Sequence, residues 1–132
     1  MIHSYCKMIR IEDLMVGDWV EAVGKPYQYK CATINSEREI DGGLWVTDPK
    51  GRSYFTKYSD LEPIEMTIDV LKKNDFTEVL PDAWTIEGFG VMFRVIDGHI
   101  WYMFSEVPIS ITWVHEFQHV LKAARININV IL

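Results

Sequence analysis

The sequence predicts an α+β fold: an N-terminal SH3-like antiparallel β-barrel half, followed by a β-meander with two helices and a C-terminal strand. Three observations lead there. Residues 8–60 hold five short runs rich in β-branched and aromatic residues, parted by turn signals built on Gly, Pro and Asp, which is the spacing of a small antiparallel barrel. Asp97-Gly98 stands between two strand-like runs as a two-residue link that favours a type I′ hairpin turn. Residues 110–124 place Val114, Phe117, Leu121 and Ala124 along one helical stripe.

Residues 8–11 form a short apolar segment. Leu14 and Val16 lead into Gly17-Asp18, a turn signal, and residues 19–23 resume as a strand until Gly24-Lys25-Pro26 breaks it. Residues 27–35 are expected to be the longest strand of this half. Asp41-Gly42-Gly43 turns the chain into a strand at 44–47, and Asp48-Pro49-Lys50-Gly51 turns it into another at 53–58. Residues 61–66 read as an extended connector, because Pro63 disfavours helix in the residue before it. Thr67 then caps a short helix, with Asp69 in its first turn, Ile68, Val70 and Leu71 as apolar contacts, and Asn74 as the stop after Lys72 and Lys73.

Strands are expected at 76–80, 83–87, 90–96 and 99–104, with Pro81-Asp82, Gly88 and Asp97-Gly98 between them. Pro108 separates this sheet from the long helix, which Ser110 or Thr112 can cap. Trp113 and Val120 flank its apolar stripe, while His115, His119 and Lys122 fall on another face, pointing away from the stripe. After Arg125, Ile126, Ile128, Val130 and Leu132 fall at alternate positions, the first three parted by asparagines, the pattern of a terminal strand with one buried face. The expected organisation is a single compact domain over 1–132, with subregions 1–62 and 63–132, since either half alone would hold a marginal core.

Hydrophobic residues make up 48% of the 132 positions and aromatics 13%, enough to build a core and to exclude global disorder. The formal charge of −6 disfavours a protein that coats nucleic acid or an anionic membrane. The acid lies mostly in the second half: residues 1–60 carry 8 Lys+Arg against 9 Asp+Glu, and 61–132 carry 5 against 10. Cys6 and Cys31 make no disulfide framework and read as free thiols of a cytosolic protein. No apolar run approaches the roughly 18–20 residues that span a bilayer, and the first ten residues lack the apolar region of a signal peptide. The expected location is the cytoplasm, with no membrane partner, nucleic acid disfavoured and a protein partner left open.

His115, Glu116 and His119 spell H-E-x-x-H on the long helix. Histidines at i and i+4 share a helical face and can hold one zinc ion, and the Glu between them can activate the metal-bound water as general base. A catalytic zinc takes a third protein ligand. The chain after His119 has no His, Cys, Asp or Glu, which leaves only the carboxylate of Leu132. Upstream, Cys6 and Cys31 lie outside the E-G-C-L-S type of segment that peptide-deformylase-like proteins use, and Asp97, His99 and Glu106 have no motif behind them. The expectation is therefore no zinc and no catalytic residue, with a zinc-dependent hydrolase (metal: His115, His119; base: Glu116) as the alternative. Asp97 and His99 resemble an acid–base pair, and turn chemistry explains both. Tyr27, Tyr29, Tyr54 and Tyr58, interleaved with Lys25, Lys30, Arg52 and Lys57, have the composition of a stacking surface for nucleic acid or peptide. Core or cross-strand packing with solubilising neighbours accounts for the same residues.

Leu14-Met15-Val16-Gly17-Asp18-Trp19-Val20, then Glu62-Pro63-Ile64 leading to Thr67, Leu71-Lys72-Lys73-Asn74-Asp75-Phe76, and Val114-His115-Glu116-Phe117-Gln118-His119 occur in an order and spacing that resemble a family of small uncharacterised proteins of Bacteroides-type gut bacteria, their phages and mobile elements. The resemblance runs from about residue 9 to 125. In that family the helix often reads V-H-x-L-Q-N, with Gly at the place of Asp75, so the family pattern matches His115 and Gln118 without requiring Glu116 or His119. It implies a non-catalytic accessory or interaction protein linked to a phage or mobile element, and it transfers no established activity.

Overall fold

The computed structural model describes residues 13–22, 29–34, 42–104 and 107–132, with 29–34 and 104 as backbone alone. The chain divides into two compact units, Met1–Ile64 and Glu65–Leu132.

In the first unit, β1 (Trp19–Ala22), β2 (Tyr29–Ile34), β3 (Gly43–Thr47), β4 (Ser53–Lys57) and β5 (Leu61–Glu62) form one antiparallel sheet in the order β4-β3-β2-β1-β5. Period-2 alternation sends Val20, Ala22, Leu44, Val46 and Leu61 to one face, where they make a small core with Leu14 and Tyr58 packed against it. The expected SH3-like barrel is corrected here. The sheet is open, with β4 and β5 as its two edges. The sequence marks strands, but closure needs the hydrogen-bond rows of both edges to meet. β5 is two residues long, comes from the stretch expected to be a connector, and is used up in pairing with Glu21 and Ala22 of β1. A single turn of 3-10 helix, Tyr58–Asp60, carries the chain from β4 to β5. The expected strand at 8–11 lies outside the described residues.

Two buried aspartates fix the turns of this sheet. Met15 N–H donates to Asp18 Oδ2 at 2.8 Å and Asp18 N–H donates to the Met15 carbonyl at 3.0 Å, closing the turn around Gly17, whose φ of 94° suits a residue without Cβ. At the β3–β4 turn, Asp48 Oδ1 accepts the N–H groups of Lys50 and Arg52, both at 2.9 Å, and Oδ2 accepts Arg52 Nε at 3.0 Å.

In the second unit, α1 (Ile68–Lys73) precedes five antiparallel strands, β6 (Phe76–Leu80), β7 (Ala83–Ile86), β8 (Met92–Ile96), β9 (His99–Phe104) and β10 (Val107–Ile111), in the order β10-β9-β8-β7-β6. Helix α2 (Val114–Ala123) follows. Asp97 and Gly98 have φ of 52° and 78°, the left-handed pair that a type I′ turn requires. Phe117 of α2 meets Phe76 at 5.8 Å and Phe93 at 5.3 Å between ring centroids, both edge-on, and Phe93 lies 5.3 Å from Tyr102. These rings join helix to sheet, and each such pair adds about 1 kcal/mol beyond its buried area.

Three further expectations fail in this unit. Pro108 does not end the sheet; it lies inside β10, which pairs with β9 from Val107↔Phe104 to Ile111↔Ile100. An edge strand tolerates proline because its outer row of donors has no ladder to fill. Neither Ser110 nor Thr112 caps α2, whose N-cap is Trp113. The terminal strand is also absent: residues 126–132 form no strand, and Ile126 and Val130 are buried four residues apart while Ile131 is exposed. A side chain holds this segment instead. Asn74, the C-cap of α1, donates from Nδ2 to the Val70 carbonyl at 2.7 Å and to the Ile131 carbonyl at 2.9 Å, and its Oδ1 accepts Ile131 N–H at 2.8 Å.

Two outcomes follow. Asn74→Ala removes three hydrogen bonds of a buried amide and lowers stability by about 2 kcal/mol, read as a drop in melting temperature together with faster amide exchange at Ile131. Burial pushes the Asp48 carboxyl up, but the Arg52 N–H, the Arg52 guanidinium and the Lys50 N–H outweigh it and hold it below the ordinary range. Its contribution is therefore complete above the unfolded value of about 3.9 and is lost as pH falls through the lower folded value. Acid titration of wild type and Asp48→Asn should differ in slope only below about pH 4.

Candidate functional site

Two residues, Thr112 and Trp113, separate β10 from the H-E-x-x-H helix, whose first N–H groups have no partner within the helix. Glu116 is the third residue of α2, and its side chain reaches back over this end. Oε1 accepts both Thr112 N–H and Trp113 N–H, each at 2.9 Å. This is the glutamate half of a capping box, with the negative charge at the positive end of the helix dipole. A general base serving a zinc-bound water would have to face the metal between the two histidines. Here the carboxylate is turned toward the N-terminus of its own helix and held there by two donors.

The histidines do not lie as expected. His115 is 5% exposed, buried with Val114, Phe117, Gln118 and Leu121, while His119 is half-buried. At about 100° per residue the buried arc runs from Phe117 through Val114 and Gln118 to His115, about 160° in all, wider than the stripe the sequence suggests. The imidazole rings are 5.7 Å apart between centroids and inclined at 67°. Among the described residues no group of three His, Cys, Asp or Glu side chains is placed to hold a metal ion. Cys6, Glu106 and the Cys31 side chain lie outside the described set.

Asp97 and His99 are both exposed on the β8–β9 hairpin, where Asp97 is a turn residue and His99 pairs with Ile96. The tyrosine–lysine surface is only partly described. Tyr58 packs against the core of its sheet and Arg52 is bound to Asp48. Tyr27 and Lys25 fall outside the described residues, as do the side chains of Tyr29 and Lys30. What sequence reasoning missed is a pair on the other face of the same sheet. Trp45 and Phe55, directly opposite on β3 and β4, are each 42% exposed and meet edge-on with centroids 6.0 Å apart. The signal was present, since Trp45 interrupts Leu44 and Val46 at the outward parity, but its partner depends on the strand register.

Among the described residues no helix is long and apolar enough to cross a membrane. Comparison with protein-family models, curated proteins and solved structures finds no match.

Glu116→Ala should lower the melting temperature by an amount equivalent to about 1 kcal/mol, the usual worth of a helix cap, with the helical signal of α2 fraying first. A Glu116→Ala protein as stable as wild type would mean that the carboxylate does not hold the helix start.

Proposed function

We propose that this protein is a non-catalytic accessory protein of a phage or mobile element that acts in the cytoplasm by contacting a protein partner. The observation that supports the non-catalytic half is the Glu116 carboxylate, whose Oε1 is taken up by the Thr112 and Trp113 N–H groups at the start of its own helix. The exposed Trp45–Phe55 pair supports the interaction half, because burying two aromatic rings against a partner is a common source of binding energy. Resemblance to the Bacteroides and phage family supports the biological setting. Asp75 has φ of 68°, a conformation that favours glycine, and glycine is the family's residue at that place.

The test separates a capping glutamate from a catalytic one. Purified protein is dialysed against a mild chelator, assayed for zinc, and supplied with zinc and a quenched fluorescent peptide; Glu116→Gln, His115→Ala and His119→Ala are carried in parallel. The expected result is no hydrolysis above blank in any of the four proteins, with stability as the property that responds to Glu116. Stoichiometric zinc that survives dialysis, with hydrolysis abolished by Glu116→Gln, would make the protein a zinc hydrolase and overturn the proposal.

A further inference from the structure

Period-2 alternation gives the second sheet a face away from α2. Phe93 packs against Phe117 of α2 and against Tyr102, so Met92 and Arg94 of β8 and Trp101 and Met103 of β9 fall on the opposite side. Arg94 and Trp101 are directly opposite in register. Met92 and Met103 each lie two residues along their strands, about 7 Å away. Trp101 is half-buried, but its register partners on both sides, Arg94 of β8 and Ser110 of β10, are exposed. Pro108, opposite Met103, is exposed as well. The patch therefore opens to solvent.

Its charge is unusual for this chain. Arg94 is the only Lys or Arg on the five strands of the sheet, and Glu78 is the only Asp or Glu. Glu78 is opposite Trp84, which is opposite Phe93, so it has the parity of the α2 face, and its Oε2 accepts Asp82 N–H at 2.8 Å. Arg94 is thus the one formal charge that the strands place on the outward face. It stands on the central strand between Ala83 and Trp101, and among the described residues it has no ion pair.

We propose that this patch binds a segment of a protein partner that presents an Asp or Glu to Arg94 and, two residues away, an apolar side chain to Trp101 and the two methionines. A guanidinium takes one carboxylate in a paired, planar contact. Tryptophan supplies a large apolar surface, and methionine adapts to the shape laid on it. Charge decides among occupants. Single-stranded nucleic acid asks for a groove of cations along its backbone, whereas here one cation stands on a chain of formal charge −6. A second copy docking the same patch across a two-fold axis would set Arg94 against Arg94, with no acid on the strands of that face to answer them. The inference rests on the interaction reading above and names the chemistry of the partner.

The full chain is the bait for a displayed library of randomised heptapeptides. An enriched peptide is labelled with fluorescein and titrated against wild type, Trp101→Ala, Arg94→Gln and Arg94→Glu, with melting curves on the same proteins. Enriched peptides should carry an acid two residues from an apolar side chain. Affinity should fall by roughly tenfold or more in Trp101→Ala and Arg94→Gln, and further in Arg94→Glu. Both Arg94 variants should melt with wild type, because the side chain is exposed. An arginine that only keeps an apolar face soluble could be replaced by glutamate without effect, so an unchanged titration with Arg94→Glu overturns the inference. So does a failure to enrich, enrichment of peptides without an acid, binding of single-stranded DNA that Arg94→Glu abolishes, or dimerisation in sedimentation that Trp101→Ala abolishes. Peptide binding that survives all three variants removes this face and leaves the interaction reading standing, while zinc-dependent hydrolysis in the earlier assay removes that reading itself.

Discussion

Only Thr112 and Trp113 lie between β10 and α2, and the N–H groups of both find their acceptor in the first turn of α2. The Glu116 carboxylate ties down both residues that link β10 to α2, and Phe117, the next residue of the helix, stands in the ring cluster with Phe76, Phe93 and Tyr102. The helix entry beside this ring cluster is held by one electrostatic contact, where the dipole and two aligned donors favour a carboxylate. The same contact decides the chemistry. A glutamate between two histidines has the right identity for a zinc peptidase, but catalysis requires an orientation, and here the orientation serves the helix.

The first unit relies on polar turns to a greater extent because its core is small. Val20, Ala22, Leu44, Val46 and Leu61 supply few large side chains. The loops around them are set by buried carboxylates, Asp18 around Gly17 and Asp48 across the β3–β4 turn. Asp48 accepts three donors, and each hydrogen bond offsets part of the hydration its carboxylate loses in the protein interior.

Most of the strands were legible because period-2 alternation and Gly/Asp turns are local signals. The runs that became β1 to β4 and β6 to β9 needed no tertiary information beyond that. The misreadings share a cause, which is that the deciding partner is distant in sequence. Pro108 reads as a break until β9 is seen to pair with the residues around it. The alternating Ile126, Ile128 and Val130 read as a strand until Asn74, on α1, is seen to hold the main chain of Ile131. Barrel closure failed for the same reason, because it depends on whether two edges meet. At the candidate site the residue types of H-E-x-x-H were legible, but the direction of the Glu116 side chain was not. His115 was assigned to the outer face because a narrow stripe underestimates how much of a helix a sheet covers.

Pro108 has a further consequence for how the protein behaves among many copies of itself. An edge strand free of charged side chains, with Val107 and Ile109 exposed, is a template on which another chain could add a strand. Proline withdraws one donor from that template. Four residues on, the Thr112 carbonyl is already taken by Met66 N–H at 2.9 Å, and Trp113 forms a bridge with Glu65. The edge is thus interrupted near its start and occupied just past its end, which shortens the run of backbone groups on which another strand could pair. The residue that resembled a boundary in the sequence instead blunts an apolar edge, one of the devices that work against edge-to-edge pairing.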